Sequence, residues 1–342
     1  MSGEKIDRGE LLQRIAANSG PERLDLSDCD LSNIDLSQAT IQAEVEQRQC
    51  DPETTRWITV DDHEQPRMNM KRIILNHSDL TFAKLQGADM YRSELRDANL
   101  ARANLEGAQL EWAELQGSTL TGGASLANTL LTRTNLERAE LTGARLDGAI
   151  WYGAFLERSR VTRRQLEPAI QDEINANVAK APGAYHQASD AYLNHKNNFI
   201  SLGRHEDAAW AYVKEQQMEK MAFYWEWRRH RWRIWKDSVP FGRWLRNWIY
   251  ELLTGYGERP MNPAIGGGLI IAGFAVGYYA AGSVNSFWDA LAYSLATFAT
   301  FNLADLQPEG RGVDIASSVE ALLGIAILAL VVFTLGNRMS RS

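Results

Sequence analysis

Cysteine is nearly missing from this chain of 342 residues: Cys29 and Cys50 are the only two. Cys29 stands at a small-residue slot of a repeat and reads as a packed thiol, so a disulfide framework is not expected. The six histidines are scattered without metal-ligand spacing. A Gly-rich phosphate loop, a zinc-ligand cluster and a nucleophile elbow are all lacking, which argues against an enzyme. The opening stretch MSGEKIDRGELLQR has no apolar signal core, and no bilayer-length apolar run occurs before residue 260. That part of the chain is therefore expected to stay in the cytosol. The mean hydropathy of −0.33 fits this reading, because only the C-terminal quarter is strongly apolar. The net charge of −7 is uneven: residues 1–70 hold 15 acidic and 7 basic side chains, residues 225–250 hold 7 basic and 2 acidic.

The first positive feature is a period of five. A large apolar residue recurs from Leu75 to Leu120, through Leu80, Leu85, Met90, Leu95, Leu100, Leu105, Leu110 and Leu115. One residue is inserted at Gly122-Gly123, and the register resumes from Leu126 through Leu131, Leu136, Leu141, Leu146, Trp151 and Leu156 to Val161. A small residue such as Ser78, Ala83 or Ala88 lies two positions before each large one from Leu80 onward. Neither a 3.6-residue helix nor a two-residue strand alternation has this period. A square coil with five residues per face does, its large and small residues both pointing inward. A weaker copy covers Leu26, Leu31, Leu36 and Ile41, and a polar insertion at about 42–70 interrupts it. Four or five coils at about 4.8 Å each make a rod of roughly 20–25 Å. Ala98-Asn99-Leu100 and Ala103-Asn104-Leu105 carry the A(D/N)Lxx pattern, in which the sequence resembles the pentapeptide-repeat family. The resemblance implies a right-handed quadrilateral β-helix over residues 23–162, behind an N-terminal segment 1–22. Some members mimic DNA with an acidic surface. Residues 71–162 instead balance 11 basic against 11 acidic side chains, so a spacer or docking rod is expected.

From 163 to 220 the pattern is helical. Ala191 to Phe199, Leu202-Gly203-Arg204 and Ala208 to Tyr212 resemble one tetratricopeptide-type hairpin, too short alone to form a peptide groove. Residues 221–260 follow as a Trp/Arg-rich stretch, with six of the 11 tryptophans between 222 and 253. Trp225, Trp232, Trp235, Trp244 and Trp248 alternate with basic residues including Arg243, which suits anionic headgroups on the cytoplasmic face. Interfacial helices broken near Pro240 are expected. Basic and aromatic residues also suit nucleic acid, but the position just before a membrane span favours the lipid surface, and no nucleic-acid partner is expected. Thr254-Gly255-Tyr256-Gly257 spells a potassium-filter string. It precedes the first span, with no pore helix before it, and reads as a turn.

Residues 261–342 form the membrane region. A first span at 263–282 is free of charge, and a second at 314–336 contains Glu320. The short apolar segment 286–300 lies between them. Arginines before the first span and Arg338 and Arg341 after the second favour the cytoplasm, so two crossings plus a re-entrant segment keep both termini inside. Ala290-Leu291, Ser294, Thr297 and Thr300, ending at Asp305, resemble the pore helix and filter of two-span potassium channels. That resemblance implies a homotetrameric ion channel of the cytoplasmic membrane, with filter residues Thr300, Phe301, Asn302, Leu303, Ala304 and Asp305. It implies a gating-hinge glycine at Gly324, and Ile325, Leu328 and Val332 facing the pore.

The filter departs from the family, TFNLAD standing for TVGYGD. The family's glycines adopt backbone angles that turn carbonyls toward the ion. Ala304 would adopt them only at about 1 kcal/mol, and Leu303 lacks the bracing tyrosine hydroxyl. Strict potassium selectivity is therefore not expected. Four Asp305 carboxylates would favour cations, while Asn302 amides leave an anion pore as the alternative. A membrane-anchored scaffold that does not conduct is the other rival. Glu320, ionisable at membrane depth, either faces the conduit with Gly324, Ile327 and Val331 or braces the pore helix from behind. The expected architecture is multidomain: β-helix, α-helical linker, interfacial helices and a two-span pore domain. Monovalent ions pass and no cofactor is needed; an unknown cytosolic protein is a further expected partner of the repeats.

Overall fold

The computed structural model describes residues 3–18, 20–38, 40, 58–60, 66–167, 170–229, 238–257, 261–282, 284, 286–300 and 311–339. The chain divides into two compact units, Met1–Trp232 and Arg233–Ser342.

The first unit is built on the five-residue period. Each pentad makes a β-turn and then one isolated parallel bridge, and bridges join residues one coil apart, such as Asp79 to Asn99 and Asp89 to Gln109. Four ladders result. Two of them have six levels, one running through Asp25, Ile74, Glu94, Glu114, Asn135 and Phe155, and so reach about 24 Å at strand spacing. That is one level more than the leucine count suggests, because the weak copy at Leu26–Leu36 pairs fully with the main repeat. The extra residue at Gly122-Gly123 is absorbed in a turn where both have positive φ, after which Ser125 pairs with Asn104 in unchanged order. The ladder resumes at Asn69, which pairs with Asp89, and Met70 is buried, so the repeat begins again inside the range expected for the insertion. A short antiparallel pair leads into it, β1 (Ile58–Val60) against β2 (Pro66–Met68).

The repeat's residue preferences follow from the turn. The large residue and the small one fill the axis: Leu80, Ala83, Leu85, Ala88 and their equivalents are fully buried. Each buried leucine contributes about 1.5–3 kcal/mol. The Asp or Asn before the large residue accepts from the backbone N–H two positions on, as Asp79 does from Thr81 at 2.9 Å and Asn104 from Glu106 at 3.1 Å. The third turn position is left-handed, and Arg72, Arg92, Arg102 and Arg133 adopt it despite about 1–2 kcal/mol of strain apiece.

Both ends of the coil are closed by helices. At the N-terminal end, Glu4 and Ile6 pair with Asp30, and α1 (Arg8–Ala17) buries Leu11 and Ile15 on the coil. At the other end come α2 (Arg163–Leu166), α3 (Gln171–Ala179) and the hairpin of α4 (Pro182–Ser201) and α5 (His205–Arg229). Leu166, Ile170, Tyr185, Tyr192 and Phe199 continue the same hydrophobic core. The hairpin does form, but its role is to cap the β-helix. It also extends to Arg229, so Trp225 packs partly buried against this core, with the Arg228 guanidinium 5.1 Å from its ring centre. In the structure Trp225 belongs to the cap and not to the interfacial helix expected from the sequence. Trp232 and Trp235 lie outside the described residues.

The second unit contains α6 (Ser238–Thr254), α7 (Met261–Ala280), α8 (Phe287–Phe298) and α9 (Arg311–Met339). Met261–Ala280 and Gly312–Gly336 are long and apolar enough to cross a membrane.

The cap holds a buried titratable pair. His195 is fully enclosed, its ring edge-on to Trp151 at 5.0 Å, and burial pushes its pKa down to about 3. Asp172 accepts the Trp151 N–H at 2.8 Å, and burial pushes its pKa up to about 6. The two respond oppositely to acid. Below pH 6.5 the unfolded chain protonates His195 and the folded chain does not, so the histidine removes about 2 kcal/mol of stability between pH 7 and pH 5. Asp172 takes up its proton in the folded state from about pH 6 downward and offsets part of that loss. His195→Phe removes only the first response. The melting temperature of the variant, relative to wild type, is expected to rise steadily from pH 7 to pH 5; a constant difference would show that His195 titrates normally.

Candidate pore segment

Helix α8 is too short to cross a bilayer: its 12 residues reach about 18 Å against a hydrocarbon core of about 30 Å. The Ser286 hydroxyl caps its start, accepting the Trp288 N–H at 3.2 Å, and Asp289 complements the dipole in the first turn. Its inner face is small and apolar, with Ala290, Ser294, Ala296 and Phe298 buried against α7 and α9.

One polar knot ties the three helices together. Glu320 on α9 is fully buried. Tyr278 of α7 donates its hydroxyl to Glu320 Oε2 at 2.8 Å. Ser294 of α8 shares its hydroxyl proton between Glu320 Oε1 and the Ile271 carbonyl, the latter at 2.9 Å. Tyr278 also stands edge-on to Tyr293 at 5.2 Å. A carboxyl at this depth is costly without donors, and each flanking helix supplies one. Of the two roles open to Glu320, this geometry is that of the brace.

Gly324 lies one turn further along α9. A Cβ there would sit 2.0 Å from the Phe298 carbonyl oxygen, so the glycine is the notch into which the end of α8 fits. On α7, a Cβ at Gly267 would meet only side chains, Phe298 Cζ at 3.1 Å and Ile327 Cγ2 at 3.3 Å. The resemblance assigned Gly324 a hinge; in this structure a close backbone approach already explains it. Beyond Phe298, Thr300 has φ of 60°, a left-handed conformation rare for a β-branched residue. Phe301, Asn302, Leu303, Ala304 and Asp305 lie outside the described residues.

The rest of α9 separates into faces. Glu320, Gly324, Ile327 and Thr334 are buried in the unit. Ile325, Leu328 and Val332 are 55%, 48% and 70% exposed in the single chain, on the opposite side. Helix α6 carries Trp244 and Trp248, stacked with centroids 6.5 Å apart, beside an exposed apolar stripe of Phe241, Trp248, Ile249 and Leu252. Arg243 is exposed away from that stripe. The string Thr254–Gly257 ends α6. Gly255, Tyr256 and Gly257 all have positive φ, and the Gly257 N–H bonds the Thr254 hydroxyl at 3.1 Å. Sequence reasoning identified Glu320 and Ser294 separately but missed Tyr278 as the third member. The available signal was a hydroxyl in an otherwise apolar span.

The notch and the knot separate by substitution. Gly324→Ala sets a methyl against backbone and is expected to cost about 1–3 kcal/mol or more, whereas Gly267→Ala meets movable side chains and costs less. Glu320→Gln keeps one acceptor for a hydroxyl and offers its amide N–H to the oxygen of the other, while Glu320→Leu leaves the Tyr278 hydroxyl without its acceptor and Ser294 with the Ile271 carbonyl alone. Thermal melts in detergent should rank Gly267→Ala and Glu320→Gln above Gly324→Ala and Glu320→Leu; equal melting temperatures within either pair would contradict the packing described.

Comparison with known families agrees with both halves. Residues 267–341 match the family described as "Ion channel". Residues 92–122 and 123–160 match pentapeptide repeats, in eight copies. The curated proteins give no match. Among solved structures, the chain is similar to the pentapeptide repeat protein Rfr23 from the cyanobacterium Cyanothece 51142, with 20% identity over 43% of this chain and 95% of that one, at a TM-score of 0.33. It is also similar to HetL of Nostoc sp. strain PCC 7120, a pentapeptide repeat protein involved in heterocyst differentiation regulation. There the identity is 24% over 45% of this chain and 53% of the other, with a TM-score of 0.24. The chain thus joins a pentapeptide-repeat β-helix to an ion-channel domain.

Proposed function

We propose that the chain is one subunit of a homotetrameric channel of the cytoplasmic membrane, weakly selective and permeable to monovalent cations. The observation that carries this reading is the short helix α8, tied between two membrane-length helices by Glu320 and seated on Gly324, from which residues 300–305 continue. In this reading α8 is re-entrant, and four copies place the segment 300–305 around one axis. The exposed side of α9, with Ile325, Leu328 and Val332, lines the conduit below it. The filter sequence TFNLAD lacks the glycines of a carbonyl cage, so ions are not stripped by a rigid ring and selectivity among cations is weak. Asp289 and Asp314 stand in the first turns of α8 and α9, and together with Asp305 between them in sequence they support a cation-attracting mouth. At the opposite end Arg243 and Arg246 on α6 meet anionic headgroups while Trp244 and Trp248 enter the interface, keeping both termini cytosolic. The repeats form a right-handed quadrilateral rod on the cytosolic side that docks a partner or senses a signal.

Planar-bilayer recording of the purified protein in asymmetric KCl, and then in KCl against NaCl, tests the reading. The reversal potential is expected near the cation equilibrium, with sodium and potassium permeabilities within a few-fold of each other. Asp305→Asn is expected to reduce the preference for cations over chloride. Reversal at the chloride equilibrium would establish an anion pore, reversal that follows potassium alone would refute the filter argument, and silence of intact tetramers would make the chain a scaffold.

A further inference from the structure

The knot at Glu320 has one more acceptor than it has hydroxyl protons. Tyr278 supplies one proton, to Oε2 at 2.8 Å. Ser294 supplies one for two oxygens, Glu320 Oε1 on α9 and the Ile271 carbonyl on α7, the latter at 2.9 Å. A hydroxyl donates once and accepts on its lone pairs. The arrangement is therefore complete in two forms that differ by one proton. With Glu320 ionised, Ser294 turns its hydrogen to Oε1 and the carboxylate receives two donors. With Glu320 protonated on Oε1, the carboxyl donates to Ser294 Oγ, and Ser294 turns its hydrogen to the Ile271 carbonyl. No heavy atom has to move between the two, because the serine hydrogen only rotates about the Cβ–Oγ bond.

No neighbouring charge locks the carboxyl in either form. Glu320 is fully buried and, among the described residues, pairs with no lysine, arginine or histidine. The groups that face it are Tyr278 from α7 and Ser294 from α8, with Tyr293 of α8 edge-on to the Tyr278 ring. Asp289 and Asp314 are exposed, in the first turns of α8 and α9. Tyr278 also lines a groove of about 510 Å³ that opens between α7 and α9, so one residue separates the carboxyl from the surface of the unit.

We infer that Glu320 is a proton-binding site, and that the proton it takes decides which helices Ser294 ties together. The acid form runs a continuous chain from α9 through Ser294 of α8 to the Ile271 carbonyl of α7. The ionised form releases Ile271, and Ser294 then ties α8 to α9 alone. Ser294 lies one turn before Phe298, whose carbonyl occupies the Gly324 notch, so the exchange bears on the end of α8 that leads to Thr300. A proton thus becomes a signal for the pore segment. The inference rests on the pore reading for its effect on current, and on the hydrogen bonding alone for the proton site.

Full-length protein in lipid vesicles is titrated from pH 5 to pH 9 by infrared spectroscopy, and its currents are recorded in planar bilayers over the same range. The difference between wild type and Glu320→Gln isolates this carboxyl from Asp172 and the other acids. It is expected to contain a carboxylic-acid carbonyl stretch that grows on acidification. Glu320→Gln keeps the bonding pattern of the acid form, with its amide N–H toward Ser294 Oγ. Its open probability is expected to match wild type at the acid end and to stay level across the range. That of wild type is expected to change at least about fivefold, the low end of ordinary coupling between two sites, at the pH where the band is half-developed. Ser294→Ala has no hydroxyl to turn and is expected to keep the band and lose the dependence of current on pH. Melting curves check that both variants fold. A difference spectrum without a titrating carbonyl band would overturn the proton site. Dependence of current on pH that survives in Glu320→Gln would overturn its role in conduction. Silence of intact tetramers would refute the pore reading, and the infrared titration would decide the proton site by itself.

Discussion

A β-helix stacks its coils so that every internal N–H and C=O along the ladders is paired, and the unpaired groups collect at its two ends. There the hydrophobic axis is also laid open. This end problem shapes the whole N-terminal unit. Strand pairing by Glu4 and Ile6 and the buried face of α1 close one end; α2 to α5 close the other with single side chains aimed at single backbone groups. Because burying an unpaired amide costs about 1–3 kcal/mol, Gln165, Asp172 and Asn198 contribute more by what they prevent than by the bonds they add. The hairpin, which would be marginal in isolation, gains a core from the coil it covers.

The same constraint operates in the membrane unit with fewer means of satisfying it. Helices satisfy their own backbones, and the difficulty passes to side chains and helix ends. Glu320 would be a heavy cost at membrane depth if it faced hydrocarbon. With Tyr278 and Ser294 donating, it becomes a three-way tie among helices that otherwise meet through small apolar contacts. The tie sets the depth of α8, and the absence of a side chain at Gly324 sets how closely the end of α8 approaches α9. Both features fix the end of α8, which leads directly to Thr300.

The legibility of each feature depends on how it is encoded. The coil is written many times over, so its period survives an inserted residue and a long interruption; even the Asp or Asn before each leucine has a visible reason in the turn it caps. The caps are written once. Gln165, Asp172 and Asn198 share no spacing, because each answers a different ladder, and nothing in a one-dimensional pattern relates them to Ala144, Trp151 or Ser159. Trp225 illustrates the opposite error: composition grouped it with the tryptophans after it, whereas it packs against the core that includes Tyr192 and Ala222 before it. In the membrane unit, Glu320 announced its need for partners, but Tyr278 and Ser294 lie 42 and 26 residues away, on separate helices.

The strings at 254–257 and 300–305 show why local spelling is a poor guide and position a good one. Thr254–Gly257 has the letters of a filter, yet its consecutive left-handed residues close the end of α6, with the Thr254 hydroxyl bonded to the Tyr250 carbonyl at 2.7 Å and Tyr256 buried beside Tyr250. A filter needs a pore helix aimed into it and a second helix behind it, and neither flanks residues 254–257. Both flank Thr300: α8 leads directly to it, and Gly324 admits the backbone of α8 to within contact of α9. In the proposed pore, ion choice depends on the residues that follow Thr300 in sequence. The sequence TFNLAD lacks the glycines of the potassium filter, and this is the physical basis for proposing a pore of weak selectivity.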